Sequence, residues 1–249
     1  MKMQRISIFI ISLIILMVLP LTSFAQEDIA DQEAPVNDTI VVKQKYGLRL
    51  GGDVGKLTRS FIDDDYTGFE ISGDYRLTQK LYLAGELGTE ENTIRNNYLD
   101  VTAKGNYFKA GIDYNLYKNW LDMENLIYTG LRVGVSTFSQ NLNSYTVYTT
   151  DQYYEPFTSS DLQEYKGLSA IWVEFVVGIK AELVTNLFVG INVQLKGMVA
   201  EDQPENFENL FVPGFNRTFD SGRFGFGFGY NVSYLIPIFK KNKKIPVEE

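Results

Sequence analysis

The residues able to do chemistry are ionisable side chains set at alternate positions in apolar segments. The acids are Asp53, Glu70, Asp74, Glu86, Asp113, Glu174 and Glu182; the bases are Arg49, Arg76, Lys109, Arg132, Lys180, Lys196 and Arg223. Converging carboxylates such as Glu70, Asp74 and Glu86 are what glycoside hydrolysis uses. Here as many bases as acids share their parity, which points to a structural ion network. The chain has no histidine and no cysteine. That removes Ser-His and Cys-His nucleophiles, histidine-based zinc sites and thiolate metal sites. The expectation is a protein without catalysis and without a cofactor.

Two other groups could bind rather than react. Asp63, Asp64 and Asp65 stand together and could hold calcium or magnesium, but calcium loops space their ligands at alternate positions, so a solvated acidic tip is expected. Tyr145, Tyr148, Tyr153, Tyr154, Phe157 and Tyr165 lie among Ser, Thr, Asn and Gln. Tyrosine offers broad amphipathic contact at low entropic cost, so this link is a candidate recognition surface for an extracellular protein or glycan. The alternative is that it merely extends a hairpin.

The elements that must position these groups follow from period-two alternation. It is clearest from Arg223 to Tyr234, where Phe224, Phe226, Phe228, Tyr230, Val232 and Tyr234 share one parity and Gly225, Gly227, Gly229, Asn231 and Ser233 the other. Eight such segments predict strands: Tyr46–Val54, Phe69–Leu77, Leu81–Leu87, Phe108–Leu116, Ile127–Val135, Ile171–Leu183, Leu187–Gly197 and Arg223–Ile236. In each, one parity is apolar and uncharged, and every strand charge falls on the other. Short links alternate with long ones, the asymmetry of outer-membrane barrels.

Residues 1–25 have the form of a signal peptide: Lys2 and Arg5, an apolar run, then Ser23-Phe24-Ala25. Residues 26–45 read as a flexible acidic lead-in, 46–236 as the strand domain and 237–249 as a basic tail. The formal net charge of −8 argues against nucleic acid as a partner.

The pattern resembles the small eight-stranded outer-membrane barrels of the OmpA/OmpX-like class. Through Asp63-Asp64-Asp65-Tyr66-Thr67-Gly68-Phe69-Glu70, Gly73-Asp74-Tyr75-Arg76-Leu77 and Leu81-Tyr82-Leu83-Ala84-Gly85-Glu86 it also resembles an uncharacterised barrel family of Bacteroidota-type bacteria. It departs from OmpA in having no peptidoglycan-binding domain after the strands. The resemblance implies an all-β, eight-stranded antiparallel up-and-down transmembrane β-barrel in the bacterial outer membrane, both termini periplasmic. Its partners would be lipid and lipopolysaccharide, its state monomeric, and its lumen plugged by the charges named above. The resemblance carries no activity with it; the leading expectation is a structural or surface-interaction role. The alternatives are a narrow channel for ions or small solutes, and a soluble lipocalin-like barrel with the apolar parity turned inward around a hydrophobic ligand.

Overall fold

The computed structural model describes residues 39–117, 124–147, 153, 157–205, 207–218 and 222–246. The signal peptide and residues 26–38 of the lead-in lie outside them. Residues 41–243 form one compact unit.

The elements in chain order are β1 (Thr39–Asp53), α1 (Val54–Ile62), β2 (Tyr66–Arg76), β3 (Leu81–Arg95), β4 (Leu99–Asn115), β5 (Leu126–Val147), β6 (Phe157–Ser159), β7 (Gln163–Val184), β8 (Leu187–Glu201), β9 (Phe211–Val212), β10 (Asn216–Arg217) and β11 (Phe224–Pro246). Nine strands form one sheet in the order β4-β3-β2-β1-β11-β8-β7-β5-β6, and β4 also pairs with β5. Thus β1, β2, β3, β4, β5, β7, β8 and β11 each have a bonded neighbour on both sides, while β6 pairs with β5 alone. β9 and β10 make a separate two-stranded sheet.

The plain eight-stranded up-and-down transmembrane barrel is corrected by this arrangement. The main sheet has nine strands and ends on an edge, its first link holds a helix, and its last link holds a second sheet. The reason is physical. Strand geometry continues past the last apolar residue wherever Thr, Ser and Asn keep the pairing. β5 runs to Val147, and Tyr145, Thr146 and Val147 then pair with β6. β3 runs to Arg95 opposite Asp100. No described helix is long and apolar enough to cross a membrane. The outer-membrane location, the periplasmic termini and the lipid and lipopolysaccharide partners rested on the corrected fold class and are withdrawn with it.

Tight connections are set locally. Thr78 Oγ1 accepts from Leu81 N at 3.0 Å in the β2–β3 turn. Asn186 takes φ +67° between β7 and β8, a left-handed conformation that asparagine tolerates better than most residues. α1 starts where Asp53 Oδ1 accepts from Gly55 N at 2.7 Å and Lys56 N at 3.1 Å, capping two amides that have no partner within the helix.

The sheet reverses the usual order of burial. Its apolar parity is exposed, as at Leu131 (58%) and Phe224 (69%), while its charged parity is buried, as at Lys109 (1%). Strands that are not neighbours meet across the buried face: Lys180 of β7 reaches Asp74 of β2 at 2.6 Å. This overturns the lipocalin-like alternative, which needs the apolar parity turned inward.

Candidate functional site: a polar cavity beside a buried charge network

Two kinds of environment share the buried face. Along β2–β5 and β7 long charged side chains interlock. Arg132 holds Glu86 and Asp113, the latter at 3.0 Å. Lys109 lies 3.0 Å from Glu86, 3.4 Å from Glu174 and 3.9 Å from Glu70. Arg49 and Lys180 both pair with Asp74, and Arg76 with Glu124 at 2.7 Å. Each charge is taken from water, a cost offset only by close partners. Beside them Trp172, Phe215, Tyr107 and Val212 pack as one apolar cluster, with Trp172 edge-on to Phe215 at 6.0 Å. The face is filled here, which overturns the channel alternative. Glu70 is engaged in the same way: its Oε2 accepts from Lys56 Nζ at 2.8 Å and from Tyr107 Oη at 2.5 Å.

Two of the expected charges stand apart from this cluster. Glu182 is half-buried and meets Lys45 at 3.4 Å, and Arg223 is exposed. Asp53 caps α1. Lys56, Glu90, Glu124 and Tyr107 are participants that strand parity does not mark. For Lys56 a signal existed: Val54, Leu57 and Phe61 have helical spacing after a capping Asp53.

Asp63 accepts from Arg59 Nε at 3.0 Å, and Asp65 lies 3.5 Å from Arg95. Among the described residues no group of three or more His, Cys, Asp or Glu could hold a metal ion. Of the aromatic link, Tyr148 and Tyr154 lie outside the described residues. Tyr145 lies on β5 opposite Ser159 of β6. Tyr165 of β7 stacks on Phe207 at 6.1 Å, whereas Tyr153 and Phe157 are exposed.

Along β8 and β11 the buried face carries glycines and short amides instead, and there a cavity of about 640 Å³ opens beside α1. Its lining includes Asp53, Tyr66, Glu90, Asn92, Gln194 and Lys196. Lys56 bridges Glu70 and Glu90 at 2.8 Å each. Glu90 also accepts from Tyr66 Oη at 2.9 Å and from Gly214 N at 2.7 Å. Burial alone would raise its carboxyl; Lys56 and the Gly214 amide outweigh this and bring it down to about 2. Lys196 donates to Gly214 O at 2.7 Å, and burial, helped by Lys109, pulls its ammonium down to about 8.

A family model described as "Domain of unknown function (DUF6048)" matches residues 6–241. No curated protein matches the chain. Among solved structures, Ail, the attachment invasion locus protein of Yersinia pestis, aligns over 77% of this chain and 97% of its own at 9% identity, with a TM-score of 0.38. A score that low carries no argument. The resemblance to the OmpA/OmpX-like class is therefore corrected: the match that spans the chain is to a family whose function its description leaves open. The structural or surface-interaction role expected of an outer-membrane barrel rested on the corrected fold class and falls with it.

Proposed function

This chain belongs to the DUF6048 family, and we propose that it is a non-catalytic binding protein that holds a small polar molecule in the cavity beside α1. The observation that carries this reading is the contrast within one buried face. The side chains of the charge network are buried against one another, while the wall beside it keeps about 640 Å³ of space lined in part by polar residues. That volume lies within the roughly 300–1,000 Å³ of small-molecule sites. The absence of histidine and cysteine from the chain and the pairing of its buried carboxylates support binding without turnover.

Saturation-transfer NMR on the purified chain with a mixed set of small polar molecules tests this. Saturable binding to at least one compound is expected, and Gly227→Leu, which projects a side chain into the cavity, should abolish it. Absence of any saturable ligand, or binding untouched by Gly227→Leu, would overturn the reading.

A further inference from the structure

We infer that the cavity's ligand is neutral and hydroxyl-rich, of the mono- or disaccharide class; this rests on the small-molecule reading above. The bases on the lining are already engaged. Lys56 is held between Glu70 and Glu90. Arg59 pairs with Asp63 at 3.0 Å, and Arg95 pairs with Asp65 and Asp100. An ionic ligand that broke the Lys56 pairs would strand a buried carboxylate, the costly outcome for a desolvated charge, whereas the Arg59 and Arg95 pairs are half-exposed and weigh little. An apolar ligand would instead bury polar atoms without partners. A neutral molecule rich in hydroxyl groups does neither.

Two groups remain to receive such hydroxyls. Gln194 is 5% exposed. It donates through Nε2 to Asn192 Oδ1 at 2.9 Å, which points its Oε1 over Gly227, where an added Cβ would lie only 2.7 Å from it. Among the described residues that oxygen has no hydrogen-bond partner. Asp53, 2% exposed, engages the amides of α1 through Oδ1, and among the described residues its Oδ2 has no hydrogen bond. Each oxygen can accept a hydrogen bond from a donor placed in the cavity. Hydroxyl groups supply that, and they can in turn accept from Lys196 and Asn92 on the same lining. The glycines of β11 provide the room: Gly227 leaves open the space that Gln194 and Lys196 overhang.

The test titrates the full chain, in a polyoxyethylene detergent free of sugar headgroups, with three probe sets. These are neutral mono- and disaccharides, zwitterionic amino acids, and inorganic phosphate with dicarboxylates. Saturable binding confined to the saccharides is expected. Asp53→Asn, which keeps a good helix cap but turns the free acceptor into a donor, should weaken it about tenfold, and so should Gln194→Ala. Helical and strand circular dichroism should stay unchanged in both. Binding of the charged sets in place of saccharides would overturn the ligand class and leave the binding reading standing. No binding by any set would overturn both. Saccharide binding indifferent to both substitutions would place the site elsewhere and overturn this inference.

Discussion

Across β2–β5 and β7 the buried face is filled with long charged side chains, whereas along β8 and β11 Gly190, Asn192, Gln194, Gly225, Gly227, Gly229 and Asn231 predominate, with Lys196 and Phe188 among them. Both stretches are hidden from solvent and both are polar, yet they do different work. The first is held by its own ion pairs: acids and bases from strands far apart in sequence find each other, as Lys109 does with Glu86 and Glu174. The second leaves acceptors free and space in front of them. Buried polarity is thus not one property; whether it rigidifies or receives depends on whether its hydrogen-bonding capacity is already engaged.

The sharpest way to break this contrast is to remove a base from the filled stretch. Arg132→Met strands Asp113, leaves Glu86 with Lys109 alone and should cost about 3–5 kcal/mol, read by urea denaturation in detergent, whereas Gln194→Ala on the open stretch should cost less than about 1 kcal/mol. Equal losses would erase the distinction.

Acid should act next most strongly, through Glu90. Its folded carboxyl titrates at about 2 against an ordinary 4.5. A depressed acid stabilises the fold fully above its unfolded value and loses that contribution as pH falls toward the folded one. Between pH 4.5 and 2 stability should therefore drop by on the order of 3 kcal/mol more in the unmodified protein than in Glu90→Gln. Parallel pH profiles for the two would show that the Lys56 bridge contributes nothing.

Smaller still is the difference between two glycines. A Cβ on Gly111 would collide with the Leu131 carbonyl of β5, whereas one on Gly227 meets the ends of the Gln194 and Lys196 side chains. Gly111→Ala should cost about 1–3 kcal/mol and Gly227→Ala under about 1 kcal/mol, by the same denaturation assay. The least effect on stability is expected at Phe61, 88% exposed on α1. Phe61→Ser should change stability by no more than about 0.5 kcal/mol. It should nonetheless lower self-association in detergent-free buffer, measured by light scattering, because α1 adds to a broad apolar surface.

Much of the all-β character was legible because period-two alternation is local: a strand reports its own faces. The parity of Glu86, Lys109 and Arg132 was legible for that reason. Their partners were not, since nothing near Lys180 in the chain points to Asp74. Glu90 went unmarked because its base, Lys56, lies on a helix inside a link. The strand count went astray where Thr137 to Ser144 keep strand geometry with few apolar residues, and where residues 157–159 add an edge too short to show a period. The cavity was illegible altogether. Glycine marks where a side chain is missing, not what the neighbours do with the space.

The pairing of β1 with β11 carries a consequence for how the chain comes together. Gly47 and Gly51 lie so close to the backbone at Ile236 and Val232 that a Cβ on either would collide with it. The oldest strand of a growing chain is therefore matched to the youngest. Until β11 is made, β1 offers an unbonded rim, the kind of surface on which strands of other molecules assemble. Hairpins such as β2–β3 can form as they emerge, but the last step is a seam that joins distant ends and is slow for that reason. A chain stalled before Phe224 would keep most of its local pairings and still have to be shielded from its neighbours.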